Sequence, residues 1–285
     1  MTRTARLALA NLIAQAAIIV TGVIVRVTGS GLGCPTWPQC APGSFVPTAH
    51  QAESWHKYVE FGNRLLTFVL TAFAVAVLIA VWRSSRDARL RRLAVIPFVG
   101  VVAQAVLGGV SVLLQLSPVT VMAHFLLSVV LVAYSHRLWF VVRGIEPVVV
   151  TAAGLVRSAR VQRWSAFVIL TLGTVVSATG PHSGDASADR LTFDPRATTL
   201  VHAVVALLYI VSSVRLFMAA KYELRDERFT KAVRQSMEFA GMAALTGALQ
   251  YVLALPWWLV TVHAGLSATF WIASLHVHRL SVRNA

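Results

Sequence analysis

The chain has 285 residues, 57% of them hydrophobic and only 13% charged, with a mean hydropathy of +0.70. Soluble domains carry roughly 25% charged residues, so this composition excludes a soluble globular fold and implies a polytopic membrane protein. A net charge of +14 would suit a nucleic-acid partner if it formed one basic face, but its distribution along the chain gives another explanation.

Eight apolar runs, each long enough to cross a hydrocarbon core of about 30 Å, fall near 7–27, 60–82, 93–115, 118–141, 163–181, 199–219, 236–256 and 258–279. Within the first, Ala14-Gln15-Ala16 resembles a signal-peptide cleavage site. The apolar sequence continues to Val25, and losing this run would leave an odd number of spans, so an uncleaved helix is expected. The stretch 28–59 is polar and Pro/Gly-rich, and its GLGCPTWPQCAPG holds both cysteines, Cys34 and Cys40. Their spacing is not that of a thioredoxin-like C-x-x-C, and two thiols are too few for zinc. They are either free or bridged, and an oxidising exterior favours the bridge.

The second run opens on YVEFGNRLL (58–66), which places Glu60, Asn63 and Arg64 at the mouth of a span. Ionisable groups there are expensive and mark a site by default. Glu60 and Arg64 have the better order for a helical ion pair. The linkers 83–92, 142–162 and 221–235 are rich in arginine and lysine, whereas 28–59 and 182–198 hold few bases. The positive-inside rule then puts both termini in the cytoplasm and the cysteine loop outside. Arg26, Lys57, Arg64, Arg190 and Arg196 are the bases of the outer half, matched by Glu53, Glu60, Asp185, Asp189 and Asp194. The basicity is thus a topology signal, and no nucleic acid is needed to explain it.

The chain also repeats itself. VIVRVTGSG (23–31) resembles TVVSATGPHSG (174–184), and VTVMAHFLLS (119–128) resembles VTVHAGLS (260–267). Two four-helix halves in parallel orientation follow: 1–141 with the cysteine loop, a cytoplasmic linker 142–162, and 163–285. His136, His276 and His278 stand beside arginines at cytoplasmic helix ends and read as solvated, and His50 as a loop residue. That leaves His124, His202 and His263 inside spans. The interval from His202 to His263 equals the interval from Asn63 to His124, so each half has one polar position in its second helix and one in its fourth. Two histidines on facing helices in an apolar bundle are the donor set for bis-imidazole ligation of haem iron. A single intramembrane histidine would equally suit a hydrogen bond between helices. Arg64, Arg26 and Arg196 are placed to hold haem propionates.

V-R-V-T-G-S-G-L-G-C-P-T-W-P-Q-C (25–40), E-F-G-N-R (60–64) and the three helix histidines together resemble the haem A synthase family over essentially the whole chain. The resemblance implies an oxidoreductase of a bacterial plasma membrane that converts the C8 methyl of haem O into the formyl group of haem A. It implies a haem b cofactor on His202 and His263, and the substrate porphyrin in the N-terminal half facing His124. It further implies Glu60 as catalytic carboxylate and a Cys34–Cys40 disulfide. The haem O synthase and a membrane electron carrier would be its partners, in the bilayer and with oligomers allowed. Position 63 departs from the family's Glu-x-x-His-Arg pattern: Asn63 is a poor iron ligand, which leaves the substrate iron to His124, or to His124 and water. His56 could replace it only if the helix bends. The competing readings are a non-catalytic di-haem cytochrome of the b kind and a paired-repeat transporter. Glu60 beside a ligand-poor site argues against the first, and the absence of acidic or amide residues near mid-membrane, where a coupling ion would bind, against the second.

Overall fold

The computed structural model describes residues 1–150 and 153–283. Among the described residues the chain forms eight long α-helices. They are α1 (Arg3–Val27), α2 (His56–Ser84), α3 (Ala88–Leu113), α4 (Pro118–Val142), α5 (Ala153–Thr179), α6 (Pro195–Ala219), α7 (Glu227–Val252) and α8 (Trp257–Leu280). A π-helical turn, Ala220–Leu224, ends α6. Two three-residue strands, β1 (Val148–Val150) and β2 (Ser281–Arg283), pair in parallel.

The helix starts follow local chemistry. Thr2, Asp87 and Asp226 accept a hydrogen bond from a first-turn N–H of α1, α3 and α7, which satisfies donors that a helix leaves unpaired. Among the described residues seven helices are long and apolar enough to cross a membrane, which supports a helical membrane protein. The exception to the eight expected spans is α7. At 26 residues it has the length, but Ser236, Glu238, Thr246 and Gln250 dilute its apolar face. α5 begins at Ala153, inside the stretch read as a linker, whose residues 151 and 152 lie outside the described residues.

The chain divides into two compact units: Met1–Arg143 with Thr174–Pro195, and Gly144–Gly173 with Arg196–Ala285. In the first, α1 and α3 each pack on both α2 and α4, which sets α2 and α4 across from one another. Its core holds Ala8, Val77, Val81, Leu93, Ala94 and Leu138, and an Asn11–Ser135 hydrogen bond of 3.1 Å ties α1 to α4. Segment 174–195 closes one end. Gly31 donates to the Gly184 carbonyl (2.8 Å), Leu116 shares a cluster with Ala188, and Arg26 donates to the carbonyls of His182 and Ser177 (2.6 and 2.8 Å).

In the second unit α7 packs on α8. Buried Tyr209 of α6 bonds Ser236 of α7 (2.7 Å) and meets Phe270 of α8 edge to face. Gln162 of α5 donates to Ser213 of α6 (3.0 Å).

The helix starts repeat at one interval, the same from His56 to Pro195, from Ala88 to Glu227 and from Pro118 to Trp257. The turns repeat as well. Gln115 and Leu116, and at the same interval Ala254 and Leu255, take left-handed backbone conformations with φ between 51° and 61°. Leu116 and Leu255 each donate back five residues, to Ser111 and Gln250 (2.8 and 2.7 Å).

The three histidines read as solvated depart from that reading: His276 and His278 are half-buried, with His278 Nε2 2.9 Å from an Arg163 guanidinium nitrogen. His136 is fully buried rather than solvated, with its ring 5.7 Å from Trp139 and 6.2 Å from Phe140. Adjacent helix residues point about 100° apart, so the polarity of Arg137 says nothing about the face that His136 occupies.

Candidate functional site

The cysteine loop is fastened to the start of α2 by several hydrogen bonds. Cys34 and Cys40 form a disulfide, both side chains fully buried. Glu60, on the first turns of α2, accepts the Cys34 N–H at Oε2 (2.6 Å), and Arg64 Nε and Nη2 at Oε1 (3.0 and 2.6 Å). The Arg64 guanidinium also donates to the carbonyls of Cys34, Thr36 and Gln39 (2.7, 3.1 and 3.1 Å). The expected ion pair is therefore present, and it clamps the cysteine ring to α2. Little of Arg64 is left for a propionate. Arg26, bonded to two carbonyls, is committed in the same way.

His56 starts α2 and meets Ser30 Oγ through Nδ1 (2.9 Å). α2 runs unbroken from His56 through position 63, so no bend brings this ring to the place of Asn63. Gly33 lies so close to the His56 carbonyl that a Cβ there would collide with it. Lys57 is buried beneath the loop and donates to the Thr48 carbonyl (2.7 Å). Trp37, inside the ring, lies against Gly109 of α3, where no side chain would fit.

The three span histidines share a feature that sequence reading missed. Each imidazole rests on a glycine of the preceding helix. A Cβ at Gly108 would stand 3.2 Å from His124 Cε1, one at Gly247 3.2 Å from His263 Cε1, and one at Gly173 3.4 Å from His202 Cε1. A Cβ would be tight against the ring at Gly108 and Gly247 and in ordinary contact with it at Gly173, so glycine lets each imidazole lie close to helix backbone. The signal lay in the register. Gly108 and Gly247 are separated by the same interval as His124 and His263, and Gly173 matches Gly22 where VIVRVTG aligns with TVVSATG. At the fourth position the pattern breaks, since Asn63 replaces the ring and a Cβ at Gly22 would meet nothing within 4 Å.

In the second unit His263 Nδ1 donates to the Ala243 carbonyl (2.9 Å) one turn before Gly247, with Thr246 Oγ1 at 3.4 Å. His202 differs in that its buried Nδ1 makes no hydrogen bond. A ring whose Nδ1–H is held by a carbonyl presents Nε2 as a ligand, the arrangement that orients metal-binding histidines. In the first unit Gln104 donates to the His124 carbonyl (3.2 Å) and to Ser128 Oγ (2.6 Å). Among the described residues no three His, Cys, Asp or Glu side chains gather as metal ligands would. The second unit has two span imidazoles, on α6 and α8, and the first unit has one, on α4.

A family model described as cytochrome oxidase assembly protein matches residues 5–275. The chain belongs to that family. Relatives named heme A synthase, from Bacillus mycoides (strain KBAB4), Bacillus cereus (strain AH187) and Bacillus anthracis (strain A0248), are each 31% identical over 115 residues. Those residues are 40% of this chain and 36% of each relative, so the chain spans about a third of the length of the curated relatives it matches.

Proposed function

We propose that this chain is a haem A synthase, a membrane oxidoreductase that converts the C8 methyl of haem O to a formyl group with a bound haem b as redox cofactor. The observation that carries the reading is the pair of glycine-backed imidazoles in the second unit, within a chain of the cytochrome oxidase assembly family. His202 and His263 would hold the haem b iron, which supplies one-electron transfer when bound. Haem O would lie in the first unit with its iron facing His124. The two units would then be four-helix halves, with α7 as the eighth span. The termini would be cytoplasmic and the cysteine loop outside the plasma membrane of a bacterium. A haem O synthase would deliver substrate, and a membrane electron carrier would exchange electrons with the chain.

Glu60 would act at the methyl carbon. Arg64 and the Cys34 N–H fix its carboxylate, and Oε2, accepting one bond, keeps a lone pair. A carboxylate so placed accepts a proton from the carbon being oxidised or stabilises positive charge that develops there.

The test is expression of the whole chain together with a haem O synthase, followed by extraction and chromatography of the haems. Haem A should appear with about one haem b per chain. Haem b alone, in cells that contain haem O, would overturn the reading. His202→Ala and His263→Ala should lose haem b, whereas Glu60→Ala should retain haem b and abolish haem A. Full activity in Glu60→Ala would reduce Glu60 to an anchor of the cysteine loop.

A further inference from the structure

The first turns of α5, inside the stretch read as a linker, carry basic side chains at the mouth of an apolar groove. Arg157, Val161, Trp164 and Val168 recur at the spacing of one helix face, and all four are exposed. With Arg160, and with Val205 of α6, they line a groove of about 400 Å³. Among the described residues no carboxylate pairs with Arg157 or Arg160. The neighbouring Arg163 is already taken up, by His278 (2.9 Å) and by the Trp164 ring (4.7 Å to its centroid). The groove is thus basic at the end of the helix and apolar further in. From Arg157 to Val168 the helix rises about 16 Å, which is close to one leaflet of a hydrocarbon core about 30 Å thick.

We propose that this groove holds one anionic phospholipid of the phosphatidylglycerol kind. Its phosphodiester accepts hydrogen bonds from the guanidiniums of Arg157 and Arg160, whose planar donor forks match phosphate oxygens. One acyl chain lies along Val161, Trp164, Val168 and Val205, between α5 and α6. Two neighbouring positive charges without a counter-ion repel each other, and the phosphate relieves that repulsion. Basic pockets at a membrane surface recognise lipid headgroups in this way. A soluble phosphate would satisfy the arginines and leave the valines uncovered, and a zwitterionic lipid would bring its own cation against them. The site stands apart from whatever the helix histidines bind.

The test uses the full chain in detergent and lipids brominated on their acyl chains, which quench tryptophan emission on contact. Brominated phosphatidylglycerol should quench a saturable part of the emission, and Trp164→Phe should remove that part. Plain phosphatidylglycerol should compete it away, whereas phosphatidylcholine with the same chains, and inorganic phosphate, should not. Arg157→Gln/Arg160→Gln should weaken the saturable binding roughly 30-fold, the loss expected for two basic side chains at an anionic lipid surface. Arg89→Gln/Arg92→Gln removes the same charge from exposed positions of α3 and should leave the binding unchanged. Helicity by circular dichroism reports folding in each variant. Equal quenching by the two lipids, quenching that Trp164→Phe does not alter, or full binding by the Arg157/Arg160 variant would each overturn the site. Competition by inorganic phosphate would make it a site for a soluble anion and overturn the lipid.

Discussion

A glycine under an imidazole fixes the ring by shape: the ring can lie flat on helix backbone, and no neighbouring side chain competes for the place. Gly247→Val should therefore be severe, because the Cβ alone would stand 3.2 Å from His263 Cε1. Overpacking of this kind costs about 1–3 kcal/mol and would pull His263 Nδ1 from the Ala243 carbonyl. The expected result is loss of bound haem b in a pyridine haemochrome assay, with helicity by circular dichroism unchanged. Gly241→Val, on the same helix with nothing within 4 Å, should retain it. Glu60→Gln tests the other role at this scale. The amide oxygen can still accept the Cys34 N–H, but the charge opposite Arg64 is gone, and about 1–3 kcal/mol of stability should go with it. Thermal unfolding would read this, along with faster reduction of the Cys34–Cys40 bond. The histidines and the Glu60–Arg64 pair were legible because intramembrane polar residues are few and stand out. The glycines were not, since a helical glycine looks the same in sequence whether it faces lipid or an imidazole. Nor were the bonds from Arg64 to three loop carbonyls, because backbone acceptors carry no signature in side-chain identity.

Among the elements, the cysteine loop and the two tight turns bear most directly on the site. The disulfide closes a short ring, whose removal should release roughly 2 kcal/mol of chain entropy into the unfolded state. The double variant Cys34→Ser/Cys40→Ser should expose the stretch 35–55 to protease while α2 stays folded, because the Glu60 and Arg64 bonds to the loop then act alone. The α7–α8 turn places Ala254, an exposed alanine, at φ 59°. Left-handed backbone is unfavourable for a residue with a Cβ, so Ala254→Gly should raise stability by about 1 kcal/mol, read as a higher unfolding temperature in detergent. Helix positions were legible because long apolar runs leave little choice. The left-handed turns were hidden, since Gln-Leu and Ala-Leu lack the glycine or asparagine that usually marks such backbone.

At the level of the whole molecule, the proposed topology has a direct test. Reporter fusions at residues 45, 86, 226 and 254 should be active outside, inside, inside and outside in turn. The pair at 226 and 254 decides whether α7, the helix too polar to qualify by composition, crosses. The common interval between helix starts also sets where the chain tolerates a change of length. Gly108 and His124, like Gly247 and His263, are joined through a connection of only four residues. One residue inserted there turns the following histidine by about 100° away from its glycine. The connection between α1 and α2 runs from 28 to 55 and that between α5 and α6 from 180 to 194, and an added residue in either is absorbed at little entropic expense. Two of the four repeat positions are thus set by counting residues, and two by docking. Drift in length can accumulate only where the chain docks, and the longer of those two connections is the one that carries the cysteine ring.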